Sequence, residues 1–427
     1  MIFLLYFSTY AFLIRKTKST ALLLSLMLAF SALCGLLIGK SAPIDNLRDV
    51  FNIFYTLLIL TIFISAFIKY KVIHQIVTPN YVKIRRVTII LIIVGTITFA
   101  VNAYVFYHII TSGFVNYEIF KNTVLGTEFT YSLPIKHAFI SLATFLMPVS
   151  YFLLGFSFYY AYLKKVKISA ICFLLSLNMP LWGFTMLSRS SSLTYFYLLM
   201  AYFLYSIYLF NSKLRKKIIL ILAILIVPIV IYFFAVTENR FENYEVPIES
   251  AVRNPLLYSV LDYNSMWNAN GITVMSKFYS IEAIQYGGST NTFIPFLYNL
   301  IGRFLFGIEH VDEIELQTRD KIWPAPYYYS FNGLVAELVF DFGYFFTLVF
   351  SLIYAHIAKS FAPRSSKTTV FHYINFGLIV TLPLFSVFGN YFGSHYFNFA
   401  ILYSLVIRCY LYRIKLDLPL KNCAPCN

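Results

Sequence analysis

Charge is what this sequence has least of. Asp, Glu, Lys and Arg make up 12% of its 427 residues, against roughly a quarter in a soluble globular protein. So few charges cannot cover the surface of a soluble fold this large, and that class is excluded. Cysteine is sparse as well, with five in the chain. Cys34, Cys172 and Cys409 fall in apolar runs, where a thiol behaves as a small hydrophobe. Cys423 and Cys426 form a terminal CAPC without a second pair, a weak redox or metal signal that reads as a plain tail. No Walker loop, Rossmann glycine run or HExxH occurs, which disfavours nucleotide-driven and zinc chemistry. Low-complexity tracts, heptads and solenoid repeats are missing too.

What is present is apolar and aromatic. Hydrophobic residues reach 59%, the mean hydropathy is +0.73, and there are 45 Phe and 36 Tyr. Such a chain has lipid for its outer solvent and aromatic belts at the interfaces. The expected fold class is all-α, a polytopic integral membrane protein. Windows of about twenty apolar residues give about 11 transmembrane helices. They fall near 1–14, 20–38, 50–68, 87–110, 138–163, 168–187, 192–210, 218–236, 331–358, 370–388 and 395–412. The first is short. A cleaved signal peptide is not expected, because no basic region precedes it and no small-residue cleavage site follows.

The net charge of +15 tests these spans. One alternate set of loops holds 22 of the 33 basic residues and a single acid, Asp417. The other set holds the remaining 11 basic residues and 15 of the 18 acids, while Glu337 and Asp341 fall inside a span. Basic bias in short loops sets orientation, so the N-terminus is expected outside and the C-terminus in the cytoplasm. The excess of positive charge is a topology signal, and no nucleic acid is needed to explain it.

The chain therefore divides into helices 1–8 (residues 1–236), a large outer loop (237–330), and helices 9–11 with a cytoplasmic tail (331–427). Loops this long inside a compact protein are usually functional. Residues 292–306, TFIPFLYNLIGRFLF, are apolar enough to lie in the interface or dip into it. The segment 271–286 has apolar positions at helical spacing. Short helices lying on the outer surface are the expectation for this loop.

Several polar residues have two readings each. Arg189, in LSRSSSLT, occupies a tight outer turn. It either snorkels at a span end or offers a planar fork to phosphate oxygens, helped by the N-terminus of the next helix. Arg240 lies among Glu238, Glu242 and Glu245, where local ion pairing competes with substrate binding. Arg303 sits inside the apolar 292–306 segment, where a cation is expensive and tends to be functional. Arg319 is a further outer arginine. Glu337 and Asp341 are four apart and share one helix face. They either pair with cations or supply a general base with a raised pKa. His310 and His395 lack metal-ligand spacing.

Three features together resemble the bacterial O-antigen polymerases, the oligosaccharide repeat-unit polymerases. They are the SRS turn in LSRSSSLT, one long outer loop after the next span, and the aromatic-proline stretch leading into FNGLVAELVFDFGYFF. The stretch DFGYFF departs from that family's DFGxxG pattern by lacking the second glycine, and no arginine here is followed by glycine after ten residues. The resemblance implies transfer of a growing glycan from undecaprenyl pyrophosphate onto a carrier-linked repeat unit, at the periplasmic face of the inner membrane. No cofactor is implied, because the leaving group is already activated. Arg189, Arg303, Arg319 and Arg240 become candidate pyrophosphate ligands, and Asp341 or Glu337 the candidate base for the attacking hydroxyl. The implied partners are undecaprenyl-pyrophosphate-linked oligosaccharides and the lipid bilayer, with a chain-length regulator and a flippase as further ones. Two alternatives stay open: an O-antigen ligase with the same donor, and a polysaccharide flippase. A transporter expects paired repeats and midplane charges, and mid-span charges here are nearly absent.

Overall fold

The computed structural model describes residues 1–40, 44–111, 137–185, 189–241, 250–278, 332–389 and 395–412, with 42, 246 and 391. At some helix positions, Arg189, Arg240 and Asp341 among them, only the backbone is described. The described chain is predominantly α-helical. It opens with α1 (Ile2–Ile14), α2 (Thr20–Leu37), α3 (Leu47–Ser65) and α4 (Tyr81–Thr111). Among the described residues, five stretches are long and apolar enough to cross a membrane by length and composition. They are Thr20–Leu37, Leu47–Lys69, Tyr81–His108, Val166–Thr185 and Phe342–Ser360. Shorter apolar helices occupy Leu193–Leu209, Val370–Leu384 and Tyr396–Leu411.

Runs that read as single spans are divided where the side chains demand it. The 138–163 run is α5 (His137–Leu146) and α6 (Val149–Tyr162), parted at Pro148. The 168–187 run is α7 (Val166–Ser176) and α8 (Asn178–Thr185), parted just before Pro180. Proline donates no backbone N–H and its ring crowds the carbonyl four residues back, so neither helix runs through. Asn178 secures the second break to α4: its Nδ2 donates to the Gly95 carbonyl at 3.0 Å, and its Oδ1 accepts from Asn102 at 3.3 Å. The 370–388 run is likewise α13 (Val370–Ile374) followed by α14 (Phe376–Leu384). Here Tyr202 of α9 (Arg189–Ser206) covers the gap. Its hydroxyl donates to the Ile374 carbonyl at 2.9 Å and accepts from the Gly377 N–H at 3.0 Å. Buried backbone groups freed by a break need such partners.

The long loop yields the largest departure from expectation. After α10 (Ser212–Phe241), α11 (Pro255–Phe278) is one 24-residue helix, where short surface helices were expected. Its start is chemical: Asn254 Oδ1 accepts from the Leu257 N–H at 3.0 Å, and Pro255 takes the first helical position. The helix packs against α2, α3 and α12 (Gly333–Ser360). Its buried face includes Asp262, Asn264, Ser265 and Asn268. Ser31, inside α2, donates to the Asn264 carbonyl at 2.5 Å and accepts from Trp267 Nε1 at 2.6 Å. This helix is sunk into the bundle. Residues 279–331, with the 292–306 segment, and 112–136 lie outside the described residues.

The basic loops meet at one end of the bundle. The parallel strands β1 (Gln75–Val77) and β2 (Lys367–Thr369) pair there, and Ser19 bridges to Lys71. The His74 N–H donates to the Ser366 carbonyl at 2.9 Å. Lys83 Nζ reaches the Tyr410 and Leu411 carbonyls, each at 3.3 Å, at the end of α15 (His395–Leu411). Lys165 hydrogen-bonds the Tyr81 hydroxyl. Loops grouped only by charge in the sequence are thus neighbours in space.

Candidate functional site

The opposite end of the bundle carries the carboxylates and is held by polar contacts to α11. Lys40, just after α2, pairs with Asp262 at 2.7 Å. Buried Asp49 accepts from the Asp45 N–H at 3.0 Å and from the Ser276 hydroxyl. Ser276 accepts in turn from Asn52 Nδ2 at 2.9 Å, and Asn52 Oδ1 accepts from the Tyr344 hydroxyl at 2.7 Å. Tyr55 closes the set by donating to the Tyr344 carbonyl at 2.5 Å. One chain of hydrogen bonds therefore runs from α3 through α11 to α12, and it ends beside Gly343.

Gly343 breaks α12. Its φ of 69° and ψ of 175° lie in a region open essentially to glycine alone. The break sets the first ten residues of α12, which carry Glu337 and Asp341, at their own angle to the apolar remainder. Both positions precede the break, so their helical spacing holds, and Asp341 lies one turn deeper on the same face. The Asp341 side chain is outside the described residues. Glu337 is half-buried. It lies so close to Gly389 that a Cβ there would stand 2.8 Å from Oε1 and 3.1 Å from Oε2.

Next to Gly389, Tyr391 joins α9 to this corner. Its hydroxyl shares a 2.9 Å hydrogen bond with Thr194, and its ring rests on Phe385 with centroids 5.1 Å apart. Burial pushes the Tyr391 phenol up from its ordinary value. The Thr194 hydrogen bond opposes that rise, while Tyr263 and the Glu337 carboxylate add to it. The phenol stays neutral at physiological pH and keeps a proton to donate. Tyr197, one turn below Thr194, donates to Asn264 of α11 at 3.5 Å.

Arg189 is the first residue of α9. It precedes Thr194 by five residues, or about 7.5 Å at 1.5 Å per residue. The Thr194–Tyr391 bond therefore brings the N-terminus of α9 and the Glu337 segment of α12 to one corner. The arginine side chain itself lies outside the described residues, as does that of Arg240, one residue from the end of α10. Arg303, Arg319 and His310 fall wholly outside them; His395 opens α15 with only its backbone described. Sequence reasoning missed Lys40, Asp262, Thr194, Gly389 and Tyr391. A signal existed for Asp262: polar residues recur along DYNSMWNAN directly after the Asn-Pro helix start. Nothing local marked Gly389 or Tyr391.

The arrangement can hold a carboxylate, a neutral phenol and a helix N-terminus around one polar corner. That set suits proton removal from a hydroxyl beside an anion-stabilising element. Among the described residues no group of three His, Cys, Asp or Glu could hold a metal ion. No protein-family model, no curated protein and no solved structure matches this chain.

Proposed function

We propose that the chain is a glycosyltransferase that polymerises undecaprenyl-pyrophosphate-linked oligosaccharide repeat units into an O-antigen or capsular-type polysaccharide. The observation that carries this reading is the Thr194–Tyr391 hydrogen bond beside Glu337, which joins the candidate anion element to the candidate base. In the proposed reaction the acceptor sugar hydroxyl attacks the anomeric carbon of the donor. The bond from that carbon to the pyrophosphate oxygen breaks, and undecaprenyl pyrophosphate leaves. Glu337 or Asp341 accepts the hydroxyl proton. Arg189 and the backbone N–H groups at the start of α9 meet the charge that develops on the leaving oxygen. Arg303, Arg319 and Arg240 are further proposed pyrophosphate ligands.

The charge segregation supports a bacterial inner-membrane location with the basic end cytoplasmic, the carboxylate end periplasmic and the N-terminus on the periplasmic side. The test is reconstitution of the purified chain in vesicles with the host's undecaprenyl-pyrophosphate-linked repeat unit. Products are resolved by gel and mass spectrometry. A ladder of repeat units on the carrier is expected, and Arg189→Ala should remove it. Transfer only onto lipid A–core would make the chain a ligase. Carrier translocation without new glycosidic bonds would make it a transporter.

A further inference from the structure

At the basic end, far from the corner just described, a cleft of about 740 Å³ opens between α6, α7, α9 and α10. That volume lies within the roughly 300–1,000 Å³ of small-molecule sites. Its walls include Phe158, Phe173, Leu174, Leu199, Ile221 and Leu222. The two serines on the walls spend their hydroxyls on backbone: Ser157 on the Leu154 carbonyl at 2.7 Å, and Ser169 on the Ser157 carbonyl at 2.8 Å. Little is left in the walls for a sugar or a nucleotide to bond. Leu174 and Ile221 are about half exposed, so the cleft is open on the outer surface of the bundle.

Its mouth is cationic. Lys164, Lys213 and Lys217 line the rim together with Asn211. Lys164 holds the left-handed conformation, φ 59°, at the end of α6, where its N–H donates to the Ala161 carbonyl at 3.0 Å. Asn211 caps α10 by accepting from the Leu214 N–H at 2.9 Å, so the positive end of that helix lies at the same rim. Lys213 and Lys217 are four apart on one face, a like-charge pair that destabilises a helix unless an anion sits between. The segments that line the cleft carry no anion of their own, because no Asp or Glu occurs from residue 129 to residue 237. An apolar slot with a lysine mouth at the cytoplasmic interface matches one kind of occupant.

We infer that this cleft binds an anionic glycerophospholipid, with one acyl chain between α7 and α10 and its phosphate on Lys164, Lys213 and Lys217. The site is separate from the glycan chemistry, which is proposed for the other end of the bundle, so either assignment can fail alone. The test is native mass spectrometry of the full chain in detergent, titrated with dioleoyl phosphatidylglycerol or dioleoyl phosphatidylcholine, which have identical chains. Phosphatidylglycerol is expected to bind at least about tenfold more tightly, since each lysine near a lipid phosphate favours the anion. Lys213→Gln/Lys217→Gln should remove that preference; both lysines are exposed, so the fold does not depend on them. Ala170→Trp, which fills the slot without touching the charge, should remove binding of both lipids. If this second variant does not fold, the lysine variant decides alone. Equal binding of the two lipids, undiminished phosphatidylglycerol binding in the lysine variant, or displacement by an equal concentration of undecaprenyl phosphate would overturn the assignment.

Discussion

Replacing Gly389 by alanine probes the carboxylate corner with a single methyl group. The added Cβ would stand 2.8 Å from Glu337 Oε1, 3.1 Å from Oε2 and 3.2 Å from Cδ, whereas ordinary contact begins at 3.4 Å. The carboxylate therefore has to withdraw by about 0.6 Å or turn away. Glu337 is only half-buried, so the side chain has somewhere to go and the fold survives the change. A catalytic group displaced by about 1 Å loses on the order of 100-fold in rate, so a shift of this size is expected to cost about 10- to 100-fold. The assay is the initial rate of lipid-linked polymer formation in vesicles, with thermal unfolding in detergent as the stability control. The expected pattern is a large loss of rate with a Tm near that of the wild type. Full activity in Gly389→Ala would show that the carboxylate against Gly389 is not where the chemistry happens.

Three further substitutions test the framework around that corner. Gly343→Ala forces a side chain into a glycine-only region of backbone space and should cost about 1–3 kcal/mol, read as a lower Tm; an unchanged Tm would mean α12 does not bend there. Ser31→Ala leaves the buried Trp267 indole N–H without its acceptor, a loss of about 1–3 kcal/mol that intrinsic tryptophan fluorescence and Tm should both report. Asp262→Asn should cost only about 0.5–1 kcal/mol, because Lys40 keeps 38% of its exposure and water screens the pair. A double-mutant cycle of Asp262→Asn with Lys40→Met should show a coupling of that size, and no coupling would remove the pair from the account of how α11 docks.

Much of the architecture was legible because charge and hydropathy act over whole segments. The loops holding Lys71, Lys83, Lys165 and Lys367 were grouped by sign alone, and they do meet at one end of the bundle. Asn254–Pro255 is an equally plain helix start, but the apolar spacing of 271–286 points further along the chain than α11 lies. The divisions at Pro148 and Pro180 were also in the sequence; a hydropathy window averages over prolines and hides them. The spacing of Glu337 and Asp341 was sound because both precede Gly343, whose φ no composition reveals. Lys40 with Asp262, and Thr194 with Tyr391, are pairs 222 and 197 residues apart. Such pairings depend on tertiary packing, which no local pattern encodes.

The most direct measurement is the rate of undecaprenyl pyrophosphate release by wild type and Glu337→Gln at equal concentrations of folded protein. The glutamine keeps the shape of the side chain and its contact with Gly389 but cannot take a proton. General-base catalysis contributes about 10²- to 10⁴-fold. A loss of about 100-fold or more, with donor binding retained, is the expected result. Equal rates, or no release by the wild type from any lipid-linked repeat unit of its host, would contradict the proposed chemistry at this corner.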